Sequence, residues 1–446
     1  MKYLRYTFLL GLALLTFTAC EDRLELQPAQ SIDGSLATAT EANVQNILIG
    51  AYAEAGKDES YGGQLQIMAD LLGGGDLINW VGTFIDPRQV INKNMLTDNG
   101  FITLFWNNHY ATINQANLVL DNLDVVTSSD ETRNRIEGEA RFLRGLCYFD
   151  LVRHFAYDDM GVPLRTTGIS DYSVNLAIDR ASTSAVYDLI LGDLNQAVSL
   201  LPETNSFFAD RYSAQALLAR VHLQLGNYAD ARDAANSVIE NSDHSLEASY
   251  ADAFNNDSDG AEDVFAFQVT SQDGQNDLIN HYADEGNGGR GGDIPIPDAF
   301  LDLFEEGDFR GTFFYESAQS GDRLTGKYTN QFGNIPLIRL AEVHLIRAET
   351  NLREGTEVGL APVDEINAIR TRSGASAITT EELDVDFILE ERKRELAYEG
   401  FFIHDVVRTG GSVDGIPAGD ERLTMPIPQS EIDTNTDIQQ NPGYVQ

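Results

Sequence analysis

Apolar side chains recur at helical spacing along most of the chain, and the pattern is densest from Glu137 to Leu164 (EGEARFLRGLCYFDLVRHFAYDDMGVPL). Leu143, Cys147, Leu151 and Phe155 repeat every four residues, and Phe142, Leu146, Phe149 and Val152 fill the adjoining stripe. The spacing predicts a mostly buried helix, stopped by Gly161-Val-Pro163. Glu137 stands one turn ahead of Arg141 and Asp150 one turn ahead of His154, so each couple is expected to pair along the helix.

The same periodicity organises the rest. A first helix is expected from about Thr40, with Val44, Ile47, Leu48 and Ala51 on its apolar face, and a short one over Leu65 to Leu72. Glycine-rich segments bracket the short helix and lead into Asn79-Trp80-Val-Gly-Thr-Phe84, a loop with two large aromatics. Phe101, Phe105, Tyr110, Ile113, Ala116 and Leu120 mark a helix expected to pack antiparallel to the Glu137 helix. Ala181-Ser-Thr-Ser184 offers caps for another, carrying Val186, Ile190, Leu194 and Leu201. From 213 to 240, small and large apolar residues alternate down two helices joined at Gly226-Asn-Tyr228, a tetratricopeptide-like pair, and a second pair is expected at Leu337 to Leu352 with Val363 to Arg372.

Between these pairs, residues 242–331 are rich in Gly, Asp and Asn, which predicts long loops and small hairpins, with a strand-like run at Asp263 to Val269. A further helix is expected over Phe387 to Tyr398, then extended and turn-forming chain around Met425-Pro-Ile-Pro428 and Gln440-Asn-Pro-Gly-Tyr444. The fold class is therefore mainly α: an α-α superhelix of tetratricopeptide-like pairs with long irregular loops and small β-hairpins.

Charge narrows the partners. The 446 residues carry a formal charge of -40, which opposes binding to nucleic acid or anionic headgroups and favours a neutral or cationic ligand. At the N-terminus, Lys2 and Arg5 precede the apolar run Phe8 to Leu15 and small residues before Cys20, the form of a secretory signal. Thr18-Ala-Cys20 resembles the lipobox of bacterial lipoproteins, with Phe17 in place of the preferred leucine, and implies a lipid on Cys20. The other cysteine, Cys147, lies on an apolar helical face, so no disulfide framework is expected. The acidic, Pro-terminated stretch after Cys20 predicts an extended tether.

Several blocks together resemble the SusD/RagB outer-membrane lipoproteins. They are Leu24-Glu-Leu-Gln-Pro28, Phe105-Trp106 with Tyr110 and Ala116-Asn117, the Glu137 to Leu164 stretch, Val186-Tyr187 to Leu201-Pro202, Ile335 to Glu342 with Arg347-Ala-Glu349, Ile369 to Gly374, Glu390 to Gly400, and the closing Pro426-Ile-Pro428 and Gln440 to Tyr444. The resemblance covers essentially the whole chain after Cys20, in order. It implies a surface lipoprotein anchored in the outer membrane through Cys20, which binds an oligosaccharide, or in some members a peptide, and passes it to a SusC-type TonB-dependent transporter. It implies no enzyme activity and no cofactor. The expected organisation is a lipoprotein signal peptide at 1–19, a SusD-like N-terminal part at 20–212, and a SusD/RagB C-terminal part at 213–446 with the loop-rich insertion at about 242–331, all in one compact unit. A tetratricopeptide-like scaffold for a protein partner is the alternative.

Sugar rings present apolar faces that stack on flat aromatics while amides and carboxylates take the hydroxyls. Trp80 and Phe84, with Asp76 and Asn79 in the same segment, are therefore the first candidate ligand contacts. Tyr282 and Arg290 in His281-Tyr-Ala-Asp-Glu-Gly-Asn-Gly-Gly-Arg290 form a second cluster, and Tyr328, with Asn330 and Phe332, a third. Trp106 sits on a helical stripe and reads as core. Asn255-Asn-Asp-Ser-Asp-Gly260 has the start of a calcium loop, but Ala266 stands where the bidentate glutamate belongs, so a solvated turn is expected and no metal. No catalytic motif is present: there is no H-E-x-x-H, G-x-S-x-G or P-loop. The alternating charges of Glu390 to Glu399 predict a salt-linked structural helix.

Overall fold

The computed structural model describes residues 37–272 and 276–444. The signal segment, Cys20 and the tether lie outside the described residues. Fifteen helices are seen among the described residues: α1 (Glu41–Ala55), α2 (Gln64–Gly73), α3 (Ile85–Ile91), α4 (Gly100–Leu120), α5 (Asp130–Phe155), α6 (Thr183–Leu200), α7 (Arg211–Leu225), α8 (Tyr228–Asn241), α9 (Asp277–Tyr282), α10 (Asp298–Leu301), α11 (Leu340–Glu354), α12 (Pro362–Arg372), α13 (Val385–Glu395), α14 (Phe402–Thr409) and α15 (Gln429–Thr434). Three two-stranded antiparallel sheets join them: β1 (Asp263–Phe267) with β4 (Ile335–Arg339), β2 (Phe314–Glu316) with β3 (Arg323–Thr325), and β5 (Ser412–Val413) with β6 (Ile416–Pro417).

The long helix α5 is the axis of the core, with Phe142, Leu143, Leu146, Cys147, Phe149, Leu151 and Phe155 fully buried. Ser129 caps its first turn by accepting from Thr132 N. Phe155 at its end meets Trp106 and Phe105 near the start of α4, at ring separations of 4.8 and 5.4 Å, so the two helices run antiparallel. Arg144 binds Asp193 on α6 through two bonds of 2.7 and 2.8 Å and reaches Asn117 on α4, which ties three helices at one buried point. The tetratricopeptide-like pair α7 and α8 turns on Gly226, whose left-handed φ of 73° a side chain would strain.

Several local expectations change. Glu137 does pair with Arg141 at 2.9 Å, but the carboxylate of Asp150 turns to Tyr61 Oη (2.6 Å) and Arg153, while His154 Nδ1 bonds the Asp150 backbone carbonyl. Burial, together with the neighbouring Arg153, pushes the His154 pKa down to about 4, so a neutral ring sits where an ion pair was expected. Leu337 lies in β4 rather than at a helix start, and α13 stops at Glu395. The strand at Asp263 is not part of a local hairpin. It pairs with residues more than sixty positions later, Phe265 opposite Ile338 and Phe267 opposite Ile335. The Asn255 segment is solvated as expected, with Asp257, Ser258 and Asp259 exposed, and it also clasps the later chain, since Asp257 and Asp259 accept from Asn330 and Asn334 at 2.6 and 2.8 Å.

One face of the charged helix α13, carrying Glu391, Arg392 and Glu395, is deeply buried. Arg310 reaches Asp308, Glu391 and Glu395 at 2.8, 2.7 and 3.2 Å, and Arg339 reaches Glu262, Glu395 and Glu399 at 2.5, 3.2 and 2.8 Å. Burial opposes ionisation of Glu395, yet Arg372, Arg339 and Arg310 together hold its carboxyl well below the usual range. This network fastens the loop-rich middle of the chain to the C-terminal helices.

Candidate functional site

The loop between α2 and α3 is held from both sides. Asn79 N donates to Pro295 O at 3.0 Å and Val81 N to Asp293 O at 2.9 Å, so two residues of the aromatic loop run as an extended ladder beside the chain that follows α9. Asn79 Oδ1 accepts from Trp80 N at 2.8 Å, and Trp80 Nε1 donates to Phe84 O at 3.2 Å. Gly82 is required here: a Cβ would lie 2.6 Å from Trp80 Cζ2 and 2.7 Å from Asp293 Cγ. Phe84, the residue before α3, is left standing at the surface.

The first two sequence clusters therefore meet. Arg290 stacks its guanidinium 4.1 Å over the Phe84 ring, reaches Thr83 Oγ1 at 3.4 Å and pairs with Asp293 at 3.2 Å. Asp293 also accepts from His281 Nδ1 at 2.8 Å. The His281 ring lies beneath, 5.4 Å from Trp80, 6.0 Å from Phe84 and 6.1 Å from Phe101. Phe84 is 43% exposed, and Val81 and Ile85 beside it are exposed at 52% and 67%. The result is a shallow platform with an apolar surface, a guanidinium and nearby hydroxyl and amide groups.

Other sequence candidates fall elsewhere. Trp80 is buried with its indole N–H engaged, so it anchors the loop and its ring is not offered to solvent. Tyr282 is a correction as well: it is fully buried, its hydroxyl donates to Asp70 at 2.8 Å, and its ring faces Tyr328 at 5.3 Å and Tyr398 at 5.8 Å. Burial raises the Asp70 pKa to about 7. Tyr328 donates to Tyr398 O at 2.7 Å and joins this inner stack rather than the platform. Asp76 is exposed on the preceding turn, near Lys393. Trp106 is buried, as the helical stripe predicted.

Sequence reasoning missed Thr83, Val81, Ile85, Arg88 and Phe101. Arg88 lies four residues after Phe84 and donates to Gly82 O at 2.7 Å, a spacing that could have signalled it. The small pocket beside Arg153, His154 and Arg220 measures about 20 Å³, room for one water. A wider depression of about 240 Å³ opens at Asp159, Asp179 and Gln439, but its arginine, Arg180, is engaged by the carbonyls of Phe155, Met160 and Gly161 and acts as a clamp. Among the described residues, no group of three or more His, Cys, Asp or Glu is arranged to hold a metal ion.

Comparison with known proteins agrees with this architecture. Residues 24–223 match a family model described as starch-binding, associating with outer membrane, and residues 305–416 match the SusD family model. SusD-like protein P2 of Formosa agariphila is 28% identical over an alignment of 522 residues that spans all of both chains. The starch-binding protein SusD of Bacteroides thetaiotaomicron is 32% identical over 128 residues, 25% of this chain and 22% of that one. A crystal structure of a SusD superfamily protein from Bacteroides thetaiotaomicron superposes with a TM-score of 0.81 at 27% identity, covering 90% of this chain and 100% of the other.

Proposed function

The chain belongs to the SusD/RagB family, and on that premise we propose that it is a cell-surface lipoprotein that binds an oligosaccharide and delivers it to a SusC-type TonB-dependent transporter in the outer membrane. Lipid on Cys20 anchors it. The observation that carries the glycan reading is the Phe84 platform: an exposed ring on a braced loop, with Arg290 and Thr83 beside it to meet hydroxyls. Trp80, His281 and Asp293 act beneath it as supports that fix the ring and the guanidinium. The relative named for starch binding supports a carbohydrate over a peptide.

The protein holds its ligand and does no chemistry on it. Among the described residues, none near Phe84 pairs a nucleophile with a base, and Asp293 is engaged by His281 and Arg290. The test is a glycan array and a peptide pool offered in parallel to the purified chain. Binding to a set of oligosaccharides is the expected result, and binding confined to peptides would overturn the glycan reading. Co-purification of a TonB-dependent barrel with the lipidated protein from its native membrane tests the delivery step, and its absence would overturn it.

A further inference from the structure

The distribution of positive charge is uneven in a way the net charge hides. Among the described residues, most lysines and arginines are buried or half-buried, in pairs such as Arg220 with Glu342 and Arg408 with Glu349. Among the described residues, the exposed ones are Lys57, Arg88, Arg133, Arg290 and Arg422. Lys57 is paired with Glu54, and Arg422 with Asp420, each at 2.7 Å. Two of these five straddle a single turn at the candidate site. Arg88 is fastened to the Gly82 carbonyl, and Arg290 lies over Phe84 with its Nη2 at Thr83.

We propose that this site takes an anionic oligosaccharide, one whose sugars carry carboxylate or sulfate groups, with the ring resting on the Phe84 platform and the charged group between Arg88 and Arg290. This rests on the glycan reading above and adds the substrate class to it. A guanidinium presents several N–H donors in a plane, and one bond to a carbonyl or one carboxylate partner leaves donors in reach of an added anion. Arg290 is held by Asp293 at one nitrogen, and its side chain retains 33% exposure. The charge of -40 repels an anion at long range, but within a screening length of about 8 Å at physiological salt the nearest charges decide. Arg290 is partly neutralised by Asp293, so what the two arginines offer an acidic sugar is their free guanidinium N–H donors, and the surrounding negative field rejects an anionic chain that misses them.

The test is calorimetric titration of the wild-type chain with three probes of similar length: neutral galactan oligosaccharides, oligogalacturonates, and sulfated carrageenan oligosaccharides. The carboxylated and sulfated arms identify which anion is preferred. The expected result is at least tenfold tighter binding of one anionic probe than of the neutral one. It should weaken several-fold when salt is raised from 50 to 500 mM, and about tenfold in Arg290→Gln and in Arg88→Gln. Thermal melts of both variants should match wild type, which separates loss of recognition from loss of fold. Tighter binding of the neutral probe, or anionic binding unaffected by salt and by both substitutions, would overturn the proposal and leave the glycan reading standing. Failure of all three probes together with binding of peptides would remove both.

Discussion

Two sets of arginines divide this molecule. Arg310, Arg339, Arg347 and Arg220 are buried against carboxylates on other elements, while Arg88 and Arg290 stand at the surface beside an exposed phenylalanine. The first set bonds fully within the fold and fixes how distant segments meet. The second is positioned by the fold but not used up by it. Side chains of the same type thus serve as framework in one region and, under the proposed function, as recognition groups in the other, and burial separates the two roles.

The comparison is broken most forcefully in the framework. Arg310→Ala leaves Asp308, Glu391 and Glu395 buried with their shared cation removed, and should destabilise the chain by about 3–5 kcal/mol, read by chemical denaturation. A loss below about 1 kcal/mol would mean the network is not holding the middle of the chain in place. Trp80→Ala should cost about 3 kcal/mol, because the buried indole braces Phe84 O and lies against His281. It should also weaken ligand binding, since the platform would lose its floor. A normal melt with reduced binding would return Trp80 to the list of direct contacts.

Acid should test the framework without mutation. Burial pushes His109 to about 3 and His154 to about 4, and places His404 well below its ordinary value. An unfolded histidine titrates near 6.5, so these neutral rings contribute stability that is complete above that pH and is lost as pH falls from about 6.5 towards 4. The loss is up to about 3 kcal/mol for His154 alone. Asp70, raised to about 7 by burial, works in the opposite sense over the same range, so the histidine part is read by difference. His154→Gln should melt with a shallower decline between pH 6.5 and 4 than wild type, and an equal slope would contradict the assignment.

The framework was largely legible in the sequence because a helix writes its buried face every three to four residues. The extents of α4 and α7, the buried face of α5 and the turn at Gly226 follow directly from that spacing, although α5 begins at Asp130 and ends at Phe155, short of the Gly161 stop. Pairing across distance leaves no such mark: β1 finds β4 only in three dimensions, and nothing near Asp150 indicates that the distant Tyr61 will take its carboxylate along with Arg153 one turn on. At the candidate site, residue types picked out the loop but not which way its rings face. Trp80 and Phe84 share one glycine-rich segment, yet the ladder to Pro295 and Asp293 turns one inward and leaves the other out. Tyr282 was misread for the same reason, since a tyrosine in a glycine-rich stretch gives no sign of a buried carboxylate such as Asp70 waiting for its hydroxyl.

The gentlest substitution bears most directly on the central claim. Phe84→Ala removes a half-exposed ring whose edge contacts are with Phe101 and His281, and should cost about 1 kcal/mol of stability or less. Titration of wild-type and Phe84→Ala protein with the tightest-binding oligosaccharide from the array should show at least a tenfold loss of affinity, with the melting transition kept within a few degrees. Affinity equal to wild type in a folded Phe84→Ala protein would contradict the account, because the exposed ring on its braced loop would then not be where the ligand rests.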